Sequence, residues 1–258
     1  MPTPIVITLI LVTLTALVIV NAVNLRQRQL RQLARQQQRL YGKLETVEDA
    51  LEASLRAVEG LGVARQLNQE IIAITQDLCD LERHNKAPLQ ARLELANTRQ
   101  QQLNTGNVQR QVNRLCHSDS EIHQLQSALA QASRFIHQRL ASEVLANDQA
   151  QELIQQIDWA RLQISVLSLI AAGYEARAAE RLISALNYFQ KAQDLLQGSR
   201  NPDPRRLEMV RQLSGIVRHE RAFIDRDLFA EYDLAASEPD EPDPAAAGYR
   251  ASTTGGEP

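Results

Sequence analysis

The chain has 258 residues, two cysteines and a formal net charge of −3, which excludes a disulfide-framed secreted domain and an overall basic surface for nucleic acid. Phe, Trp and Tyr make up only 4% of it, too few for the aromatic platforms on which single strands stack. Apolar residues, at 44%, suffice for a packed core. They recur at helical spacing and nowhere with the period of a strand, which places the chain in the all-α class.

Residues 1–4, Met-Pro-Thr-Pro, precede an uninterrupted apolar run at residues 5–23, IVITLILVTLTALVIVNAV, with no charge, Gly or Pro. At about 1.5 Å per residue such a run reaches the roughly 30 Å of hydrocarbon in a bilayer. Its Ile, Leu and Val residues favour insertion by about 5 kcal/mol. The run is therefore predicted to be a transmembrane helix, anchored by Ile5, Leu9, Leu11, Leu17 and Val20. A cleaved secretory signal would need a basic leader and a small-x-small cleavage site, and neither is present. Arg26, Arg28, Arg31, Arg35 and Arg39 follow closely. By the positive-inside rule they put residues 1–4 outside and the remaining body in the cytoplasm, the chain being single-pass in the inner (cytoplasmic) membrane. The same arginines can touch anionic headgroups.

Residues 24–61 follow a heptad with Leu30, Leu44 and Leu51 at a and Leu33, Leu40 and Val47 at d, the pattern of a coiled-coil stalk. Gln37 is a polar a position, and Lys43 at g faces Glu48 at e of a parallel partner, so the stripe suits a parallel homodimer. With Leu55 widening it, the stripe equally suits packing inside its own chain. Gly60-Leu61-Gly62 breaks the helix. No strand precedes this G-x-G and Arg65 stands where a third glycine would, so it is not a phosphate loop.

A helical region is predicted over residues 64–147. Leu67, Ile71, Ile74, Leu78 and Leu81 recur at 4 and 3. Pro88 opens a second helix carrying Leu89, Leu93 and Ala96 and stopping near Gly106. A short helix holds Val108, Val112 and Leu115, and Ser118 with Glu121 forms a capping box before Ile122, Leu125, Leu129, Ala132 and Ile136. Residues 148–229 are predicted to form the core of a cytoplasmic bundle, around a helix at 149–172 that is apolar over most of its circumference. Asp158 and Arg161 on that helix are placed to pair in a partly buried position.

In the stretch that follows, Leu169, Gly173, Ala185, Phe189 and Ala192 fall at the large, small, small, aromatic and small signature positions of a tetratricopeptide repeat. Residues 166–199 resemble one such repeat, departing from it at Ala176 and Gln197. The resemblance implies a protein-binding helical hairpin capped by a helix at 205–224 carrying Leu207, Val210, Leu213, Val217 and Ile224. An ordinary αα-hairpin closing a bundle fits the same residues. The tail, residues 233–258, is acidic and rich in Pro, Ala and Gly, the composition of a disordered segment.

No phosphate-binding, nucleophile-elbow, zincin or EF-hand motif occurs. Cys79, His84, Cys116, His117 and His123 lack both a C-x-x-C and a His pair at i, i+4. No metal, cofactor or catalytic site is expected, and the chain is not read as an enzyme. The reading is of a single-pass helical scaffold or adaptor that recruits a cytoplasmic protein to a bacterial inner membrane, a layout similar to that of envelope-assembly scaffolds. One alternative is a regulatory subunit packing against another protein's span through Thr8, Thr13, Thr15 and Asn21. The other, a chromosome-associated coiled coil, is suggested by the Gln- and Arg-rich helices and opposed by the acidic balance.

Overall fold

In the computed structural model every regular element among the described residues is an α-helix. The structure describes residues 3–82, 85–106, 108 and 110–229, with side chains from Asn24 onward apart from Leu25, Gln29 and Leu30. The anchor side chains Ile5, Leu9, Leu11, Leu17 and Val20, the seam residue Leu30 and the tail at 233–258 lie outside this set. Among the described residues no helix is long and apolar enough to cross a membrane. Contacts divide the chain into two compact units, Met1–Glu52 with Leu61–Gln109 and Ala53–Gly60 with Arg110–Pro258.

The first unit holds most of α1 (Thr3–Ala57), with α2 (Gly62–Leu81) and α3 (Ala87–Thr105). The 4-3 spacing buries Leu44, Val47 and Leu51 of α1 and Leu67, Ile71, Ile74 and Leu78 of α2. Pro88 lies in the first turn of α3, where its missing N–H costs nothing, and Gly106 ends it at φ 71°. The heptad stripe thus serves its own chain from Leu44 onward, while Leu33 and Leu40 are half-buried. The charges follow the same rule. Lys43 pairs with Glu70 of α2 at 2.5 Å, and Glu48 pairs with Arg92 of α3. Asn68, fully buried, donates to the Ala96 carbonyl and to Gln100 Oε1, both at 2.8 Å, fixing how α2 meets α3.

The second unit runs through α4 (Asp119–Ala141), α5 (Asn147–Ala178), α6 (Leu182–Gly198) and α7 (Pro204–Val217), each packed on the next. Ser118 caps α4 by accepting from the Glu121 N–H at 3.2 Å, while the Glu121 carboxylate reaches back to the N–H of His117 rather than of Ser118. The apolar α5 lies between α4 and α6. Its Tyr174 anchors an aromatic cluster with Phe189, Phe223 and Phe229, and the Tyr174 hydroxyl accepts the Ile224 N–H at 2.9 Å.

Two expectations are corrected here. The helix predicted around Val108, Val112 and Leu115 does not form, since residues 110–116 are irregular. Their hydrogen-bonding groups serve the end of α1 instead. The last helix stops at Val217, with Leu207 63% exposed and Ile224 buried beyond the helix end, because the face that packs inward is Met209, Gln212, Leu213 and Ile216.

Candidate interaction site

A helix leaves its last four carbonyls without internal partners. At the end of α1 the segment 110–114 satisfies three of them. Arg110 donates to Leu55 O at 2.9 Å, the Asn113 N–H to Arg56 O at 2.9 Å, and Arg114 Nε to Ala57 O at 2.8 Å. Ser54 O takes the Val58 N–H at 3.0 Å. In return Arg56 donates to Leu115 O at 3.0 Å and pairs with Glu121 at 2.6 Å, an interaction that holds the Glu121 carboxyl below the usual carboxylate range. A helical 110–114 would withdraw these donors. This exchange outweighs the local helical periodicity.

The exchange places Glu59 beside two guanidiniums. Arg114, its side chain only 7% exposed, reaches Glu59 at 2.9 Å. Arg205, in the first turn of α7, grips Glu59 through two bonds of 2.6 and 3.0 Å and Asp203 through two of 3.0 and 2.8 Å. Asp203 is also the N-cap of α7, accepting the Arg205 N–H at 2.9 Å, so one carboxylate orients both helix and guanidinium. Bonding to Arg205 holds the Glu59 and Asp203 carboxyls below their ordinary values, and the two carboxylates hold Arg205 charged well above its own. Two guanidiniums face two carboxylates, and the charges cancel. Arg205 further lies 5.3 Å from the centre of the Trp159 ring.

Above this cluster a cavity of about 340 Å³ opens between α5, the α6–α7 linker and residues Glu59 and Gly60. A second, of about 260 Å³, shares Glu59, Arg114, Gln163 and Arg205 with it. Trp159, Gln156 and Gln163 line the larger cavity, and their Nε1, Oε1 and Oε1 atoms, closed off from solvent, have no partner among the described residues. A buried polar group left so costs about 1–3 kcal/mol. Gln156 Nε2 donates to Glu152 at 3.2 Å, which fixes the amide with its oxygen free. A Cβ at Gly60 would stand 2.6 Å from that oxygen, so glycine makes room for it. Chemically the cleft offers hydrogen bonds and a ring face. It holds no nucleophile beside a base, and the nearby Cys116 thiol is pushed up by burial. Among the described residues no three metal-ligating side chains come together.

The tetratricopeptide-like positions lie on the α5–α6 hairpin of this unit. A Cβ on Gly173 would stand 2.6 Å from Phe189 Cε1, so the small residue sets how near the helices come. Phe189, Ala185 and Ala192 are buried and Leu169 is half-buried. Asp158 and Arg161 stand 3.9 Å apart at the surface, not in the partly buried pair expected, because Asp158 points outward. In the first unit Arg26, Arg28, Arg31, Arg35 and Arg39 are exposed. Sequence reading missed the Glu59, Arg114 and Arg205 cluster, whose members lie 55 and 146 positions apart. The available signals were the single tryptophan and the Asp203-Pro204 helix start. Neither a family model, a curated protein nor a solved structure matches the chain.

Proposed function

We propose that this protein is a single-pass, membrane-tethered helical scaffold, N-terminus out, whose body presents helical surfaces to a cytoplasmic protein. The observation that carries this reading is the continuity of α1, one helix from Thr3 to Ala57. The apolar run, the arginine-rich stretch and Leu44, the first buried residue among the described side chains, follow one another on that helix without a break. From residue 23 to 44 at about 1.5 Å per residue the rod is roughly 30 Å long. A continuous helix transmits position as a flexible linker does not, so it holds the core of the first unit at a set height above the bilayer. Arg26 and Arg28 lie at headgroup level in this arrangement, while Arg35 and Arg39 stand more than a Debye length beyond it.

The tether confines the body to the membrane surface, and the hairpin with its adjoining cleft is where a client is expected to dock. Proximity labelling with the enzyme fused after Pro258, compared with an anchor-only chain of residues 1–62, tests this. The expected result is a small set of cytoplasmic proteins specific to the full chain. Enrichment of the same membrane-integral proteins by both would overturn the scaffold and favour a subunit working through its span.

A further inference from the structure

We infer that the exposed face of α1 from Arg28 to Gly42 is a docking ridge for an acidic helix of a partner protein. Arg28, Arg31, Arg35, Arg39 and Gly42 recur at 3, 4, 4 and 3, the spacing of one helix face. All five are exposed, and none of the four arginines enters an ion pair or hydrogen bond among the described residues. At about 100° per residue this face lies opposite Leu33, Gln37 and the buried Leu44, so it is turned away from the stripe that leads into the core of the first unit.

The ridge costs the helix stability at both ends. Arg31, Arg35 and Arg39 are like charges at i, i+4, which weakens a helix, and Glu45 is the first acidic residue of the chain, so nothing on the same stretch offsets them. The positive-inside rule counts such charges without regard to face. Gly42 is a poor residue for a helix interior. A Cβ there would meet nothing within 4 Å, so no packing inside the chain calls for its bareness. What a bare backbone provides is close approach by another chain.

The choice among occupants rests on the tether. Copies held in one bilayer run parallel, so a second copy brings ridge against ridge. Arg35 and Arg39 lie roughly 18 and 24 Å past the apolar run, while headgroups extend only about 5–8 Å from the hydrocarbon, so lipid reaches no further than the start of the ridge. A nucleic-acid backbone is a long polyanion, and beyond Gly42 the exposed Glu45 and Asp49 turn it away. A short acidic helix fits both ends. Its carboxylates, one turn apart, meet guanidiniums one turn apart over about 16 Å, and a larger side chain settles over Gly42.

The test replaces Gln38, exposed three positions after Arg35 and four before Gly42, with the photoreactive p-benzoylphenylalanine in the full chain in cells. Every adduct is mapped to its attachment point by mass spectrometry. The expected result is attachment to a protein helix whose carboxylates recur one turn apart. Gly42→Leu adds a side chain into space empty of the chain's own atoms, and is expected to cut the adduct about tenfold with the fold intact. Arg35→Gln with Arg39→Gln, which keeps the charges nearest the membrane, is expected to cut it about fivefold. Attachment only to lipid, to nucleic acid or to a second copy would overturn the ridge. So would attachment to a segment without such carboxylates, no adduct at all, or full yield in either variant. Adducts are read separately in chain retained by membranes and in chain released by alkaline carbonate. A released chain bearing the acidic adduct refutes the tether and leaves the ridge, and a retained chain without it refutes the ridge alone.

Discussion

The two units reach stability by different routes. In the first, an apolar stripe on each helix meets its neighbours, ion pairs such as Lys43 with Glu70 lie outside it, and a single fully buried amide, Asn68, spans α2 and α3. In the second, an apolar core around Tyr174 is joined by a polar network in which Arg110 and Arg114 donate to helix-end carbonyls and Arg114 also pairs with Glu59. Periodic burial tolerates exchange of one residue for another of similar size. A polar network does not, because removing one member strands the rest. The contrast teaches that the second unit carries the more specific, and more fragile, local design.

Arg114→Leu is expected to give the largest effect, destabilising the second unit by about 3 kcal/mol, since it frees the Ala57 carbonyl and strips Glu59 of a partner. Hydrogen exchange resolved by segment should show loss of protection in α5 and α7 with α2 and α3 unchanged. Equal loss in both units would erase the contrast. Gly173→Ala comes next, at about 2 kcal/mol, because the new Cβ meets the Phe189 ring of a packed cluster. The same substitution at Gly42 of α1, with nothing within 4 Å, should stabilise by about 0.5–1 kcal/mol. Opposite signs in the two thermal melts are the expected outcome.

Smaller effects sharpen the comparison. Asn68→Ala should cost about 1 kcal/mol in protection of α2 and α3, and no more, since the helices around it stay apolar. Acid should weaken the second unit through Glu59, Asp203 and Glu121. Their folded pKa values are depressed by Arg205 and Arg56, so the stability they supply is complete above the ordinary carboxylate value, about pH 4, and is lost as pH falls through the lower folded values. Trp159 fluorescence followed from pH 6 to pH 2 should show that loss, and Glu59→Gln should make the slope shallower. An unchanged slope would remove Glu59 from the acid response.

Much of the fold was legible because helical periodicity, Pro88, Gly106 and the Ser118 cap act over a few residues. The stripe at Leu44, Val47 and Leu51 was legible as buried but not as to its cover, since a heptad reads alike whether a second copy or the same chain fills it. Residues 108–115 misread as helix because the spacing of Val108, Val112 and Leu115 is helical, while what decides their form is three carbonyls more than fifty positions earlier. The cleft was illegible for the same reason. Glu59, Trp159 and Arg205 meet only after the chain has folded, and no local pattern joins them.

The tether is tested most directly by membrane partition of the full chain against residues 24–258, each expressed in cells and extracted with alkaline carbonate. The full chain is expected to stay with the membranes through extraction and the shortened chain to be released. A full chain released by carbonate, or a shortened chain that stays behind, would contradict the tethered scaffold.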